Sequence, residues 1–230
     1  MRQPSIDTGT QTTVDRWIIS RAQYDALAAE CKVHTLAGDA IKILETPNGS
    51  FIKLFKLKSL LSSGLVYPYN LRFTHNAVKL RTLGVPSIES IQTFFVPRIM
   101  LQCAIYTPLP GLSLIDQSPS HNLISALARF VADLHHRGIY FRSLHLGNVI
   151  TLPAGGFGLI DVSGMHFKGR PLRPSERVRN FRHLFRREDN RVWYGKSGAT
   201  HLMHEYEKAA ADFDEVSGNL TDRYLSLFDS

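Results

Sequence analysis

Two stretches of this chain hold the residue types that chemistry needs. The first runs His135-His136-Arg137-Gly138-Ile139-Tyr140-Phe141-Arg142-Ser143-Leu144-His145-Leu146-Gly147-Asn148, and the second Gly158-Leu159-Ile160-Asp161-Val162-Ser163-Gly164. Asn148 and Asp161 stand 13 residues apart. An amide oxygen and a carboxylate projecting from neighbouring loops are donors that suit a hard, oxygen-seeking cation. Taken singly, Asn148 reads as a turn residue and Asp161 as a strand-end cap. His145 carries an imidazole with an ordinary pKa of about 6.5, which allows proton transfer near neutrality; a packing or loop-bonding role is its plainer reading. Upstream, Lys53 lies within Phe51-Ile52-Lys53-Leu54-Phe55, either as a cation turned toward a ligand or as an outward lysine on an edge strand.

The elements that must position these residues can be read from pattern. Residues 1–15 read as a loose arm. Lys32–Leu36, Ala40–Glu45 and Ser50–Lys56 read as strands, the last two joined by Thr46-Pro47-Asn48-Gly49, a strong hairpin signal. Apolar residues at both phases of Phe51–Phe55 predict a strand packed on both faces. Asn70–Leu83 has helical spacing at Leu71, Ala77, Val78 and Leu80, with Gly84 and Pro86 as stops. Ser90–Ile105 reads as two strands. Tyr106-Thr107-Pro108-Leu109-Pro110-Gly111 continues neither element type, because its prolines and glycine break both. A helix follows, capped by Ser118 or Ser120, with an apolar stripe of Leu123, Leu127, Phe130, Val131 and Leu134 and an end at Gly138. Ile139–Phe141, Asn148–Leu152 and Gly158–Ile160 are short strand-like runs. Pro174 opens a basic helix with Val178, Phe181 and Phe185 on one side, and Thr200–Phe213 reads as a final amphipathic helix. Strands first, then a connector, then mainly helices is an α+β order.

Composition narrows the class. The chain has 230 residues, 43% hydrophobic and 20% charged, which is enough to bury a core and too apolar for disorder. Cys31 and Cys103 form no CxxC pair, so neither a disulfide framework nor a zinc site is expected. The polar N-terminal stretch has no apolar signal core, and no run approaches the roughly 20 residues needed to cross a bilayer; a cytoplasmic protein is expected. The net charge of +7 is concentrated: residues 168–191 carry nine Lys or Arg against three acids. Such a patch attracts phosphates, nucleic acid or an anionic membrane face, or is simply a solvated helix face.

A helix ending in Leu-His-His-Arg-Gly-Ile, a loop ending in Asn148 and an apolar strand ending in Asp161 resemble the catalytic core of protein kinases and their sugar- and antibiotic-phosphorylating relatives, whose loop is HRDxxxxN and whose strand ends in DFG. The resemblance implies a two-lobed protein-kinase-like α+β fold, reduced in size: an N-lobe over 16–105, β-rich with one helix, a hinge at 106–111, a mainly helical C-lobe over 112–230, and a nucleotide cleft between the lobes. It implies ATP and Mg²⁺ as cofactors, with Asn148 and Asp161 as metal ligands, Lys53 on the α- and β-phosphates, Tyr106 opening the adenine-facing connector, residues 36–39 as a reduced phosphate-covering loop, and Arg142 as a structural or activation-segment contact. More narrowly, Phe51–Phe55, Val66–Tyr69 leading into Arg72, Phe73, Asn76 and Ala77, the connector, the loop and Arg179–Arg186 are similar to bacterial lipopolysaccharide core kinases and their small relatives, some named for toluene tolerance. This implies phosphorylation of an anionic, lipid-linked sugar, with peripheral contact at the inner face of the cell membrane.

Three departures stand against that pattern. The base aspartate of the family falls five residues before Asn148, where this chain has Ser143. Serine cannot orient a hydroxyl and take its proton as a carboxylate does, although a loose phosphoryl transfer asks more of positioning than of a base. His145 is the available substitute. No glutamate in Asn70–Leu83 can pair with Lys53, and Asp161 is followed by Val-Ser rather than Phe-Gly. The readings in competition are therefore an ATP-dependent phosphotransferase, a pseudokinase that keeps the fold as a binding protein or scaffold, and a nucleic-acid-associated atypical kinase. The last ranks below the others because the basic segment lacks the interleaved aromatics of single-strand platforms.

Overall fold

A computed structural model describes residues 16–37, 40–57 and 67–213. The N-terminal arm and the Gly38-Asp39 part of the expected phosphate-covering turn lie outside the described residues. In chain order the elements are β1 (Arg16–Ile18), α1 (Arg21–Ala29), β2 (Lys32–Ala37), β3 (Ala40–Glu45), β4 (Phe51–Lys56), α2 (Tyr69–Thr82), β5 (Glu89–Val96) and β6 (Leu101–Thr107). There follow β7 (Leu112–Ser113), α3 (His121–His136), β8 (Ile139–Phe141), β9 (Val149–Thr151), β10 (Phe157–Leu159), β11 (Met165–Phe167), α4 (Pro174–Phe185) and α5 (Glu188–Ala211). The molecule is α+β, with a β-rich first unit and a mainly helical second one. The first unit takes the described residues up to Leu71 together with Ser90–Tyr106, and the second takes Arg72–Glu89 and the described residues from Thr107 onward.

The first unit is built on a six-stranded sheet ordered β1-β5-β6-β4-β3-β2, with β1 parallel to β5 and the β2–β3, β3–β4 and β4–β6 pairs antiparallel. The predicted hairpin is present: Gly49 takes φ +80°, its amide donates to Thr46 O at 2.9 Å, and the Thr46 amide donates to Ser50 O at 2.8 Å. Strand β4 corrects the two-faced expectation. Ile52 and Leu54 are buried with Leu44, Phe94, Val96 and Cys103, while Phe51, Lys53 and Phe55 on the opposite face are half-buried. Helix α1 was not legible in the hydrophobic pattern. It is fixed by a reciprocal cap in which Ser20 Oγ accepts from the Gln23 amide and Gln23 Oε1 accepts from the Ser20 amide. Its Tyr24, Leu27 and Ala28 pack on the sheet core.

The division between the units falls inside α2. Its first turn belongs to the first unit, where Asn70 Nδ2 donates to Phe94 O at 3.3 Å and Cys103 O at 3.1 Å. Its remainder belongs to the second unit and buries Phe73, Thr74, Ala77 and Leu80.

In the second unit α3 and α5 pack along one another. Ser120 caps α3, its hydroxyl accepting from the Leu123 amide at 3.2 Å; such a cap contributes about 1 kcal/mol. The buried stripe is Ile124, Leu127, Val131, Leu134 and His135, with Leu123 and Phe130 at its half-buried margins. Helix α5 begins twelve residues before the expected Thr200, because Asn190, Trp193 and Tyr194 are buried as well. Gly195, at φ +58° and ψ 172°, kinks it. In α4, Val178, Phe181, Leu184 and Phe185 face the core, and Arg177 is buried with them rather than on the cationic side, donating from Nε to Leu172 O at 2.8 Å.

Candidate functional site

The stretch 142–148 alternates. Leu144, Leu146 and Asn148 are buried, while Ser143, His145 and Gly147 between them are half-buried and Arg142 is exposed. The two leucines therefore anchor the loop in the second unit and turn its polar residues outward. Two short ladders then close this loop on the segment after β10. In the β8–β11 ladder Phe141 pairs with Met165, so Arg142 and Ser143 come beside Gly164: a Cβ on Gly164 would stand 3.6 Å from Ser143 Oγ. In the β9–β10 ladder Val149 pairs with Leu159, and the Ile160 amide donates to Asn148 O at 3.0 Å. Asn148 thus sits opposite the residue before Asp161, although 13 positions separate the two in sequence.

Asn148 is held in one orientation. Its Nδ2 donates to Ser143 O at 2.9 Å, and its backbone amide donates to His145 O at 2.9 Å. With the amide nitrogen committed, Oδ1 is the acceptor left over, and it takes no hydrogen bond from the described residues. Asp161 is half-buried and adopts the left-handed region at φ 55°, ψ 45°. Non-glycine residues seldom do so, aspartate and asparagine being the more tolerant. Three neighbours hold that conformation in place. The Leu159 amide donates to Pro86 O at 2.9 Å, Ser87 Oγ donates to Leu159 O at 2.7 Å, and Asn76 Nδ2 donates to Val162 O at 2.8 Å and to Met165 O at 3.3 Å.

His145 packs over Gly147, where an added Cβ would stand 3.1 Å from the imidazole Nδ1 and Cε1. Burial, and secondarily Arg187, push its pKa below the usual imidazole value, while Asp161 and Asp189 act in the opposite direction. It is therefore neutral at pH 7 and able to accept a proton. Arg142 sits at the rim of the loop, and its charge reaches Tyr140, His166 and His183.

The remaining sequence-designated residues lie in the first unit. Lys53 is on β4, paired in register with Ala104 of β6, and its Nζ lies 5.8 Å from the Phe55 ring centroid. Tyr106 is inside β6 and buried, its ring edge-on to Phe51 at 5.8 Å, so the irregular connector starts after Thr107. Ser143, His145, Asn148 and Asp161 are gathered within the second unit. No clustering of three His, Cys, Asp or Glu side chains that could hold a metal occurs among the described residues. His201 Nε2 lies 2.8 Å from Ser125 Oγ. Asn76 and Ser87 carry roles that pattern reading left unassigned. The available signal was an asparagine inside a helix, a poor helix former kept at a price in propensity.

An oxygen-only donor pair, one carboxylate and one oriented amide oxygen, fits a small hard cation such as Mg²⁺ and not a soft metal. No helix among the described residues is long and apolar enough to cross a membrane.

No family model matches the chain. No curated protein matches it either. Among solved structures, it is similar to WbdD with the kinase inhibitor LY294002, at 15% identity and a TM-score of 0.47 over 81% of this chain and 42% of that one. It is also similar to the bifunctional kinase-methyltransferase WbdD, at 14% identity and a TM-score of 0.44 over 85% of this chain and 50% of that one. The chain thus spans half or less of the length of these structures.

Proposed function

We propose that this protein is a nucleotide-dependent phosphotransferase of the protein-kinase-like type, with a sugar of the lipopolysaccharide core or a similar polar molecule as acceptor. The observation that supports it best is the pairing of Asn148 with the Ile160–Asp161 turn: one oriented amide oxygen and one carboxylate, presented from adjacent loops. Asn148 and Asp161 would hold Mg²⁺, which when bound neutralises charge between phosphate oxygens. Ser143 would contact the acceptor hydroxyl and His145 would take its proton. The roles of Lys53 and Tyr106, in the first unit, rest on the sequence resemblance alone.

A second reading, a nucleotide-binding protein without transfer activity, is favoured by one specific observation: the loop 142–148 holds no carboxylate, since Ser143 occupies the base position. Thermal unfolding with ATP in Mg²⁺ or EDTA, followed by phosphate incorporation assays, separates the cases. A ligand at 100 times its Kd stabilises the native state by about 2.7 kcal/mol, about 5–10 °C in Tm for a chain of this size. The expected result is a Mg²⁺-dependent rise that Asp161→Asn abolishes, because asparagine keeps the left-handed backbone and loses the charge. The absence of any shift at saturating ATP would overturn both readings; a shift without incorporation selects the second.

A further inference from the structure

Nine basic residues crowd residues 168–191, but the fold sorts them. Arg177 is buried on Leu172 O. Arg170 is committed to Glu176 at 2.8 Å, and Arg187 to Asp189. What remains along α4 and its C-cap is Arg179, Arg182 and Arg186, at helical spacings of three and four. All three are exposed, and no carboxylate pairs with any of them among the described residues. Arg142 approaches the same place from the loop after β8, also without a carboxylate partner among the described residues. Lys168 approaches from the end of β11, its Nζ 5.8 Å from the Tyr140 ring centroid. These cations surround a Tyr140–His183 pair, whose hydroxyl and Nε2 lie 3.2 Å apart. The acid that faces the group, Glu176, is already bridged by Arg170 and by Lys168 at 3.6 Å.

We propose that Arg142, Lys168, Arg179, Arg182 and Arg186, around Tyr140 and His183, form a recognition site for a compact ligand bearing two or more phosphate groups, of sugar-bisphosphate size. As the acceptor's docking site it rests on the phosphotransferase reading; as a binding site it does not. Guanidinium groups match phosphate oxygens bidentately, and several of them converging from three elements suit clustered dianions. The electrostatics agree on the convergence: burial first, and then Arg186, Arg142, Arg179 and Arg182, depress His183, so all four charges act at this one place. Two other partners fit less well. A bilayer surface calls for exposed large apolar side chains beside the cations; among the described residues the exposed ones include no member of this face. Single-stranded nucleic acid calls for exposed aromatic platforms, whereas Tyr140 is buried.

The experiment is calorimetric titration with glucose 1,6-bisphosphate, with glucose as control, on wild type, R182Q/R186Q, R182K/R186K and D161N. Vesicles of phosphatidylglycerol and a single-stranded oligonucleotide are run in parallel. The expected result is saturable binding of the bisphosphate and not of glucose. It should weaken about tenfold or more in R182Q/R186Q, weaken less in R182K/R186K, which keeps the charge but loses the bidentate fork, and be unchanged in D161N. Equal affinity in R182Q/R186Q overturns the proposal, as does arginine-dependent binding of vesicles or oligonucleotide without binding of the bisphosphate. Because D161N tests the nucleotide reading alone, arginine-dependent bisphosphate binding in a protein that ATP does not stabilise would leave this site standing and remove the transferase.

Discussion

Asn76 reaches from α2 to the turn after Asp161, its one amide nitrogen bonded to Val162 O at 2.8 Å and to Met165 O at 3.3 Å. These bonds fasten both ends of the turn that carries the candidate carboxylate. Asn76→Ala removes this donor from both carbonyls, although Val162 O keeps the Met165 amide, a loss of about 0.5–1.5 kcal/mol per hydrogen bond. The expected outcome is a lower Tm together with a smaller Mg²⁺–ATP shift. Asn76→Asp should be worse, since a carboxylate cannot donate to either carbonyl. Melting curves with and without nucleotide read both effects; a wild-type nucleotide shift in Asn76→Asp would show that the turn holds itself.

Gly138 joins α3 to β8 at φ +71°, and a Cβ there would stand 2.1 Å from Arg170 O. The clash is with backbone, which cannot swing aside. Gly138→Ala combines a left-handed penalty of about 1 kcal/mol with overpacking of about 1–3 kcal/mol. Denaturant titration should therefore show a loss of about 2–4 kcal/mol. Gly155→Ala, also at positive φ but with no atom within 4 Å of the added Cβ, should show only the conformational part.

His135 is fully buried between Tyr206 OH at 2.7 Å and Asn180 Oδ1 at 3.0 Å, and burial pushes its pKa down from 6.5 to about 3. The folded value lies below the unfolded one, so the unfolded chain takes up a proton that the native chain refuses. Its contribution is fully present above about pH 6.5 and is lost as pH falls toward 3. One such group gives a slope of about 1.4 kcal/mol per pH unit in that interval. His145, His166 and His183 are also depressed and add to the total, so the comparison is with His135→Gln, whose stability should fall less steeply between pH 6.5 and 5. Parallel curves for the two proteins would contradict the assignment. Glu176, held down to about 2 mainly by Arg170, works in the other window, losing its contribution only below the ordinary carboxylate range.

Under the proposed phosphotransferase reading, Ser143 occupies the base position. Installing a carboxylate by Ser143→Asp should raise phosphate incorporation, general-base catalysis being worth about 10²–10⁴-fold. In the wild type, with His145 as the proton acceptor, the rate should decline as pH drops below the ordinary imidazole value of 6.5, the direction set by its lowered pKa. His145→Gln should remove that limb. A pH profile unchanged by His145→Gln would assign the imidazole to packing over Gly147 instead.

What could be read in the sequence was what local pattern dictates. Asn48-Gly49 fixed the hairpin, Gly84 and Gly138 ended helices where expected, and Ser120 proved the cap between two candidate serines. The juxtaposition of Asn148 with Asp161 was foreshadowed by the order of a loop, an asparagine and a strand ending in aspartate. What escaped was tertiary. The bond from Asn76 to Val162 spans 86 positions, and no periodicity announces it. The partition of the basic segment was equally hidden, since composition cannot show that Arg177 turns inward and Arg170 and Arg187 are already committed. Helix α1 had a readable signal in Ser20 and Gln23, but it carries no buried residue, so hydrophobic spacing gave it no weight.

The hairpin linking β9 to β10 has a consequence for how proteins of this design are engineered. The Leu152–Gly156 turn is closed by Leu152 N to Gly156 O at 3.1 Å and Gly155 N to Leu152 O at 2.9 Å, and residues 153–156 are exposed. Added residues at this tip would lengthen a solvent loop at a cost that grows only with the logarithm of its length, while the ladder keeps Asn148 opposite Ile160. The interval between the two candidate residues can therefore lengthen without moving either of them, so the pairing does not depend on a fixed spacing. By the same logic this tip is where a fluorophore or affinity tag can be inserted without disturbing the pair it connects.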